Sequence, residues 1–113
     1  MSSDVQQQQG PKAFSTAVDG GKLTVTIHRE FDFSNLHQDW AHSIVSQHPG
    51  PFAAVHLDMS RCGRISSTFY AGLMQLHFAY TAKGAKKLVL EQPDPRLVAN
   101  LKVLHLEGFF TIA

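Results

Sequence analysis

The sequence predicts an α/β fold in which helices pack on a mixed β-sheet of four to five strands. The apolar run 52–57 follows two prolines and a glycine and is typical of a buried strand. A helical pattern then extends from Phe69 to a stop at Gly84, and a second apolar run, 87–90, follows at once. A strand, a crossover helix and a second strand form a parallel pair, so the other elements are expected to add to this unit.

The first elements in chain order are a predicted hairpin and a helix. Two strand-like runs, 13–18 and 23–27, flank Asp19-Gly20-Gly21, where glycine permits the positive φ of a tight turn. Ser34 is the predicted N-cap of the helix, which a proline ends. The residues expected to face the core are Leu23, Val25 and Ile27 from the hairpin and Leu36, Trp40 and Ile44 from the helix.

The central helix shows a wide apolar face. Its main stripe recurs at i, i+4, i+7 and i+11 and consists of Phe69, Leu73, Leu76 and Tyr80. Four further residues widen the stripe: Tyr70, Met74, His77 and Phe78. We therefore expect this helix to be packed on most of its surface.

The last part of the chain predicts one more helix and strand. Asp94-Pro95 is a strong helix start, because a capping carboxylate precedes a proline that has no N–H to lose. Gly108 is predicted to end the helix, and 109–112 to form the final strand. The residues expected to face inward are Leu97, Leu101 and Leu104, with Val98 and Leu106 beside them.

Length and composition predict one soluble domain. The polar segment 1–12, which contains four consecutive glutamines, is expected to be a disordered tail, and residues 13–113 a single domain. With one cysteine and no apolar run of about 20 residues, we expect a cytoplasmic protein that does not insert into membranes. The formal net charge of +1 argues against nucleic acid as the main partner.

Three hydroxyl residues, Ser66, Ser67 and Thr68, stand at the predicted start of the central helix. One interpretation is an ordinary N-cap, which needs a single hydroxyl. The other is a site where an added anion would face free backbone N–H groups and the positive end of the helix. The basic loop Arg61-Cys62-Gly63-Arg64 precedes them, and it is either an exposed turn or a surface that steers an acidic partner.

The sequence gives little support to enzyme or metal chemistry. Two of its seven histidines, His37 and His42, are five residues apart, which does not bring both imidazoles to one helical face. No glycine elbow surrounds Ser67, and no histidine is placed to act as its base. We therefore expect no catalytic residues, no cofactor and no metal. A reactive Cys62 thiol is an open alternative to an incidental cysteine.

Several segments together resemble the STAS domain, the module of sulfate transporters and bacterial anti-sigma factor antagonists. They are Leu57-Asp58-Met59-Ser60, Ile65-Ser66-Ser67-Thr68, a helix ending at Gly84, the 97–106 helix and Gly108-Phe109. Glu30-Phe31-Asp32 is similar to the Gly-Glu-Leu-Asp segment of the bacterial antagonists. The resemblance extends over residues 14–113 and implies the STAS fold.

For the antagonist type, the resemblance implies a non-enzymatic regulator that holds an anti-sigma factor and is switched by that factor's serine kinase activity. It places the phosphorylated hydroxyl at Ser67, with Thr68 and Ser66 as further candidates. It also implies a phosphatase as a second partner. The partner-binding residues are expected to be Asp32, Arg61, Arg64, Ser66, Ser67, Thr68, Phe69 and Tyr70.

The chain departs from the family pattern at two positions beside this site. Ser66 stands where the family has aspartate, and Phe69 where it has glycine. The sequence ends at Ala113, where relatives continue into another helix, so we expect either that this helix is absent or that a partner covers that face. An uncovered apolar face there would favour an adaptor or a homodimer. A static adaptor, such as a subunit of a lipid-transporting ABC assembly or a signalling scaffold, is therefore the alternative function.

Overall fold

A computed structural model describes residues 14–28, 40–62 and 67–113, with all their side chains except those of Ser67 and Thr68. Five strands form one sheet: β1 (Phe14–Asp19), β2 (Lys22–Ile27), β3 (Ala54–Asp58), β4 (Leu88–Glu91) and β5 (Phe110–Ile112). The helices of the described residues are α1 (Trp40–Gln47), α2 (Ser67–Thr81) and α3 (Pro95–Val103). The predicted disordered tail, 1–12, lies outside the described residues.

The sheet is mixed, as predicted, and its strands lie side by side in chain order. β1 and β2 are antiparallel, whereas each later strand is parallel to the one before it. Right-handed crossovers that all step in one direction place their helices on a single face of the sheet. The strand residues buried on that face are Leu23, Val25, Ile27, Val55, Leu57, Leu88, Leu90 and Phe110. The core therefore lies between one sheet face and the helices.

The β1–β2 connection is a two-residue turn. Asp19 pairs with Lys22, which leaves only Gly20 and Gly21 in the loop. Gly20 has φ 63°, a value that glycine adopts without a steric penalty. The predicted hairpin is confirmed, and it leaves β1 at one edge of the sheet.

α1 and α2 pack through an unusually close contact. The Trp40 ring stacks on Phe69 with centroids 5.0 Å apart and an interplanar angle of 5°. A Cβ at Gly72 would lie 2.2 Å from Trp40 Nε1, so the absence of a side chain there lets the indole lie against the helix backbone. Trp40 and Ile44 are buried as predicted. Ser34 and Leu36 lie outside the described residues.

The start of α3 agrees with the sequence prediction, but its end does not. The Arg96 backbone N–H donates to Asp94 Oδ1 at 2.7 Å, which confirms the cap. The helix ends at Val103, so the prediction that Gly108 ends it is wrong; Gly108 lies in a 3₁₀ turn, Glu107–Phe109.

A Schellman motif explains the early end of α3. His105 takes the left-handed conformation at φ 60°, and the Leu106 N–H donates to the Leu101 carbonyl at 2.8 Å. Leu106 packs on the core, and this turn leaves Leu104 50% exposed. The prediction that Leu104 faces inward is therefore wrong. Gly84 has the equivalent left-handed role beyond α2, with φ 102°, as predicted.

Along α2 the main stripe is confirmed and its predicted widening is only partly correct. Phe69, Leu73, Leu76 and Tyr80 are all buried. Phe78 is 57% exposed, so the prediction that it is packed is wrong. Its ring contacts the rings of His77 and Phe109, at centroid distances of 5.0 and 6.3 Å, and the rest of the ring is exposed.

His77, beside Phe78, gives the fold a pH dependence. Burial, and then the charge of Lys87, lower the pKa of His77 below its usual value of 6.5. Nδ1 of this ring is buried and has no hydrogen-bond partner among the described residues. The unfolded chain therefore binds a proton at His77 more readily than the folded protein does. The free energy of unfolding consequently decreases as pH falls from about 6.5 towards the lower pKa of the folded state.

We expect His77→Phe to reduce the loss of stability between pH 8 and pH 5. Urea unfolding of the wild type and the variant at both pH values measures this, because the remaining histidines contribute equally to the two proteins. Equal losses in the two proteins would contradict the assignment.

Candidate functional site

The candidate site lies where β3 ends and α2 begins. Parallel strands bring their following loops to one edge of the sheet, which is where such folds place their sites. The first part of the loop after β3 is fixed by hydrogen bonds. The backbone N–H and the hydroxyl of Ser60 donate to Asp58 Oδ1 at 3.0 and 2.7 Å, and the Met59 N–H donates to the Glu91 carbonyl at 2.9 Å. The loop thus leaves the sheet in a defined direction.

The charges of this loop are also defined. The Ser60 hydroxyl, the Ser60 N–H and then the charge of Arg61 lower the pKa of Asp58, so its carboxylate is ionised at neutral pH. Burial, with a smaller effect from Asp94, raises the pKa of Cys62 to about 11. The Cys62 thiol therefore stays protonated at neutral pH, which favours an incidental cysteine over a reactive one.

The first turn of α2 is held from two sides. Phe69 is 0% exposed and stacks on Trp40 of α1. The Tyr70 hydroxyl accepts a hydrogen bond from Asn100 Nδ2 of α3 at 3.0 Å. The position of this turn is therefore set by packing against both neighbouring helices.

This packing corrects two of the predicted partner-binding residues. The prediction that Phe69 lies on a partner surface is wrong, because its ring is a core residue. Tyr70 is only 9% exposed, so little of its side chain is accessible to a partner. The apolar stripe that begins at Phe69 predicted that its side chain is buried. At this position the stripe is a better guide than the partner-binding role that the resemblance implied.

The remaining predicted residues differ in how far the structure describes them. Ser67 and Thr68 are the first two residues of α2. Arg61 is exposed in the turn after β3. Asp32, Arg64 and Ser66 lie outside the described residues.

One surface was missed in the sequence. Ala71, Gln75 and Phe78 are exposed and recur at helical spacing, so they form one outward face of α2. We call these three residues the outer face of α2. The small Ala71 and the polar Gln75 lie between the buried positions of α2 and are typical of an exposed face. Phe78 was predicted to be packed because it is aromatic, so the three residues were not recognised as one surface.

The described residues contain no group of three or more histidine, cysteine or acidic side chains that would hold a metal ion. None of their helices has the length and apolar character needed to cross a bilayer.

Comparison with known proteins identifies the fold. No protein-family model and no curated protein sequence matches the chain. The unphosphorylated anti-sigma factor antagonist SpoIIAA matches it with a TM-score of 0.73 and 14% identity, over 89% of this chain and 88% of that one. The phosphorylated form of SpoIIAA, a Bacillus cell fate determinant, matches with a TM-score of 0.61 and 12% identity, over 89% of this chain and 91% of that one.

A third solved structure agrees with these two. The protein TM1081, determined by NMR, gives a TM-score of 0.67 at 15% identity over 100% of this chain and 90% of that one. At such identities the likeness establishes the fold. The chain has the STAS fold of the anti-sigma factor antagonist SpoIIAA.

Proposed function

We propose that the protein is a non-enzymatic STAS regulator, an anti-sigma factor antagonist that binds a kinase-type anti-sigma factor and is phosphorylated on Ser67. The observation that carries this proposal is the place of Ser67 as the first residue of α2, directly after the loop from β3. SpoIIAA, which shares the fold, exists in unphosphorylated and phosphorylated forms. The cytoplasm is the proposed location, with a phosphatase as the partner that resets the switch.

The outer face of α2 is the proposed docking surface. Ala71 and Gln75 follow Ser67 at i+4 and i+8, the spacing of one helical face. Both are exposed, so no described element covers this side of the helix. A partner that docks on the outer face would therefore meet Ser67 at one end of its contact area and Phe78 at the other.

A phosphate on Ser67 would act on the partner more than on the fold. It adds about −1.5 to −2 charges at the helix N-terminus, where the dipole and the free N–H groups favour an anion. Packing of Phe69 and Tyr70 fixes the first turn independently of Ser67. A partner surface fitted to a neutral hydroxyl would instead have to accommodate a large charge, which costs affinity.

Phosphorylation is tested by intact mass after incubation of the protein with its cognate kinase-type anti-sigma factor and ATP. We expect one added phosphate on the wild type and on Thr68→Ala, and none on Ser67→Ala. Thr68→Ala is the matched control, because it removes the neighbouring hydroxyl and leaves Ser67. An unmodified wild type would exclude the phosphorylation switch, and a modified Ser67→Ala would move the site to a neighbour.

A static adaptor is the second candidate, and an exposed apolar patch favours it. Phe78 and Phe109 lie in contact, both exposed at the surface, and Ile112 of β5 is exposed as well. Exposed aromatic pairs are common anchors of protein interfaces.

The two candidates predict different responses to substitution. An adaptor anchored on this patch should lose at least about 1 kcal/mol of binding free energy in Phe78→Ala and bind equally well in Ser67→Asp. Val103→Ala is the control, since it truncates another exposed apolar side chain on a different helix. Titration calorimetry of each variant with a partner protein that copurifies with the wild type measures the three affinities. Loss of binding in Ser67→Asp would exclude the adaptor.

A further inference from the structure

Within the part of the chain that the structure describes, the outer edge of β1 is a strand edge without the usual protection. Natural sheets shield their edges with lysines, prolines, bulges or very short strands. β1 is six residues long, and its one charged residue, Asp19, stands at its end beside the turn. Its pairing with β2 is continuous, with no bulge.

The hydrogen-bonding pattern between β1 and β2 determines which backbone groups of β1 point away from the sheet. The pair that closes a two-residue hairpin, here Asp19 and Lys22, is hydrogen-bonded, and such pairs then alternate along the strand. The N–H and carbonyl groups of Phe14, Thr16 and Val18 therefore point away from β2. No backbone group of the described residues outside β1 pairs with them.

From this edge we infer that β1 pairs with β1 of a second copy of the chain, antiparallel and with a twofold axis at Thr16. This register is the one that uses all the outward groups, because it sets Thr16 against Thr16 and Phe14 against Val18 of the partner copy. Each of the three pairs exchanges two hydrogen bonds. The inference goes beyond the proposed function, since the outer face of α2 remains free in such a dimer.

Side chains on both faces of β1 fit this register. On the helix side, Val18 is 49% exposed, and the half-buried Phe14 of the second copy would cover it. On the open side, the exposed Ser15 would face the exposed Ala17 of the second copy. No charged residue within these pairs opposes another, so the strand is complementary to itself.

The inferred dimer is weak, because one strand edge buries less than the roughly 1,200–2,000 Å² of a standard interface. Its test is sedimentation equilibrium of the full chain over roughly 5 to 500 µM, where a micromolar to submillimolar Kd changes the population. We expect the wild type to pass from monomer to dimer in this range. A wild type that stays monomeric throughout would overturn the inference.

Two matched double variants test the register. S15K/A17K sets lysine against lysine twice across the twofold axis, whereas S15E/A17K sets glutamate against lysine in the same places. Within one copy, positions 15 and 17 pair with the uncharged Thr26 and Thr24 of β2, and the His28 ring that lies 3.2 Å from the Ser15 hydroxyl is common to both double variants. We expect the Kd of S15K/A17K to rise at least about tenfold and that of S15E/A17K to stay at or below the wild-type value.

The other outcomes decide against the inference. Equal dimerisation of both double variants would place the interface elsewhere, for example on the Phe78 patch. Loss of the dimer in both would overturn this register. If S15K/A17K loses its folded circular dichroism spectrum, the variant V18P is used in its place. Proline at position 18 removes an N–H group that points away from β2 and leaves the β1–β2 hydrogen bonds intact. A V18P protein that dimerises like the wild type would contradict the inference.

Discussion

Phe69→Ala is expected to lower the free energy of unfolding by about 3–5 kcal/mol, the range for removal of a buried aromatic ring. Phe69 is fully buried, and its ring forms the stacked contact that joins α2 to Trp40 of α1. The substitution would leave a cavity between two helices and free the first turn of α2 on one side. Urea unfolding followed by circular dichroism measures the change.

Phe78→Ala is the matched control for this prediction, because it makes the same substitution nine residues further along the same helix. Phe78 is 57% exposed, and we expect a loss below about 1 kcal/mol. Similar losses for the two variants would mean that Phe69 is not the core residue described here. A small loss at Phe69 would return this ring to the partner surface that the resemblance implied.

Gly72→Ala is expected to destabilise the protein by about 1–3 kcal/mol, although alanine favours helices more than glycine does. The new Cβ would lie 2.2, 2.4 and 2.6 Å from Nε1, Cε2 and Cζ2 of Trp40. These atoms belong to a rigid, buried indole, so the whole ring has to move and its stack on Phe69 is disturbed. Thermal and urea unfolding measure the loss.

A double-mutant cycle isolates the cause of this loss. Leucine ends at Cδ and has no atoms where Nε1, Cε2 and Cζ2 of Trp40 lie, so Trp40→Leu makes room for the new methyl group. We expect the double variant Gly72→Ala/Trp40→Leu to be more stable than the sum of the single losses predicts, by at least about 0.5 kcal/mol. Additive losses would show that the methyl group and the indole do not compete.

The elements predicted correctly from the sequence are those whose apolar residues recur at regular spacing or whose ends are marked by a helix-capping residue. Leu23, Val25 and Ile27 alternate, and Phe69 to Tyr80 repeat at helical spacing, so burial on one face follows directly from the residue types. Gly84 and Asp94 mark helix ends by local chemistry alone. These signals depend on neighbours in the chain, which a sequence displays.

The errors arise where a three-dimensional arrangement decides. His105 takes a left-handed conformation that glycine usually occupies, so α3 ends before Gly108 and Leu104 turns outward. Phe78 follows the packed residues in sequence, but it is 57% exposed because no described element covers it. The closeness of Trp40 to Gly72 depends on how two helices meet, and neither residue alone indicates it.

At the candidate site, the sequence located the start of α2 and misjudged which residues face outward. Ser67 is the first residue of the helix, so the helix begins within the three hydroxyl residues that the sequence placed at its start. Phe69 was predicted both to begin the buried stripe of α2 and to bind a partner, and the structure shows it as a core residue. We infer that this chain replaces a small residue by a ring that anchors the first turn on α1.

The charge at Ser67 is proposed to decide whether a partner docks on the outer face of α2. The most direct measurement is the affinity of the cognate kinase-type anti-sigma factor for the wild type, Ser67→Ala and Ser67→Asp, by titration calorimetry. We predict that Ser67→Ala binds like the wild type and that Ser67→Asp binds at least about tenfold more weakly, with the free energy of unfolding nearly unchanged. Equal affinity of the anti-sigma factor for all three proteins would contradict the account.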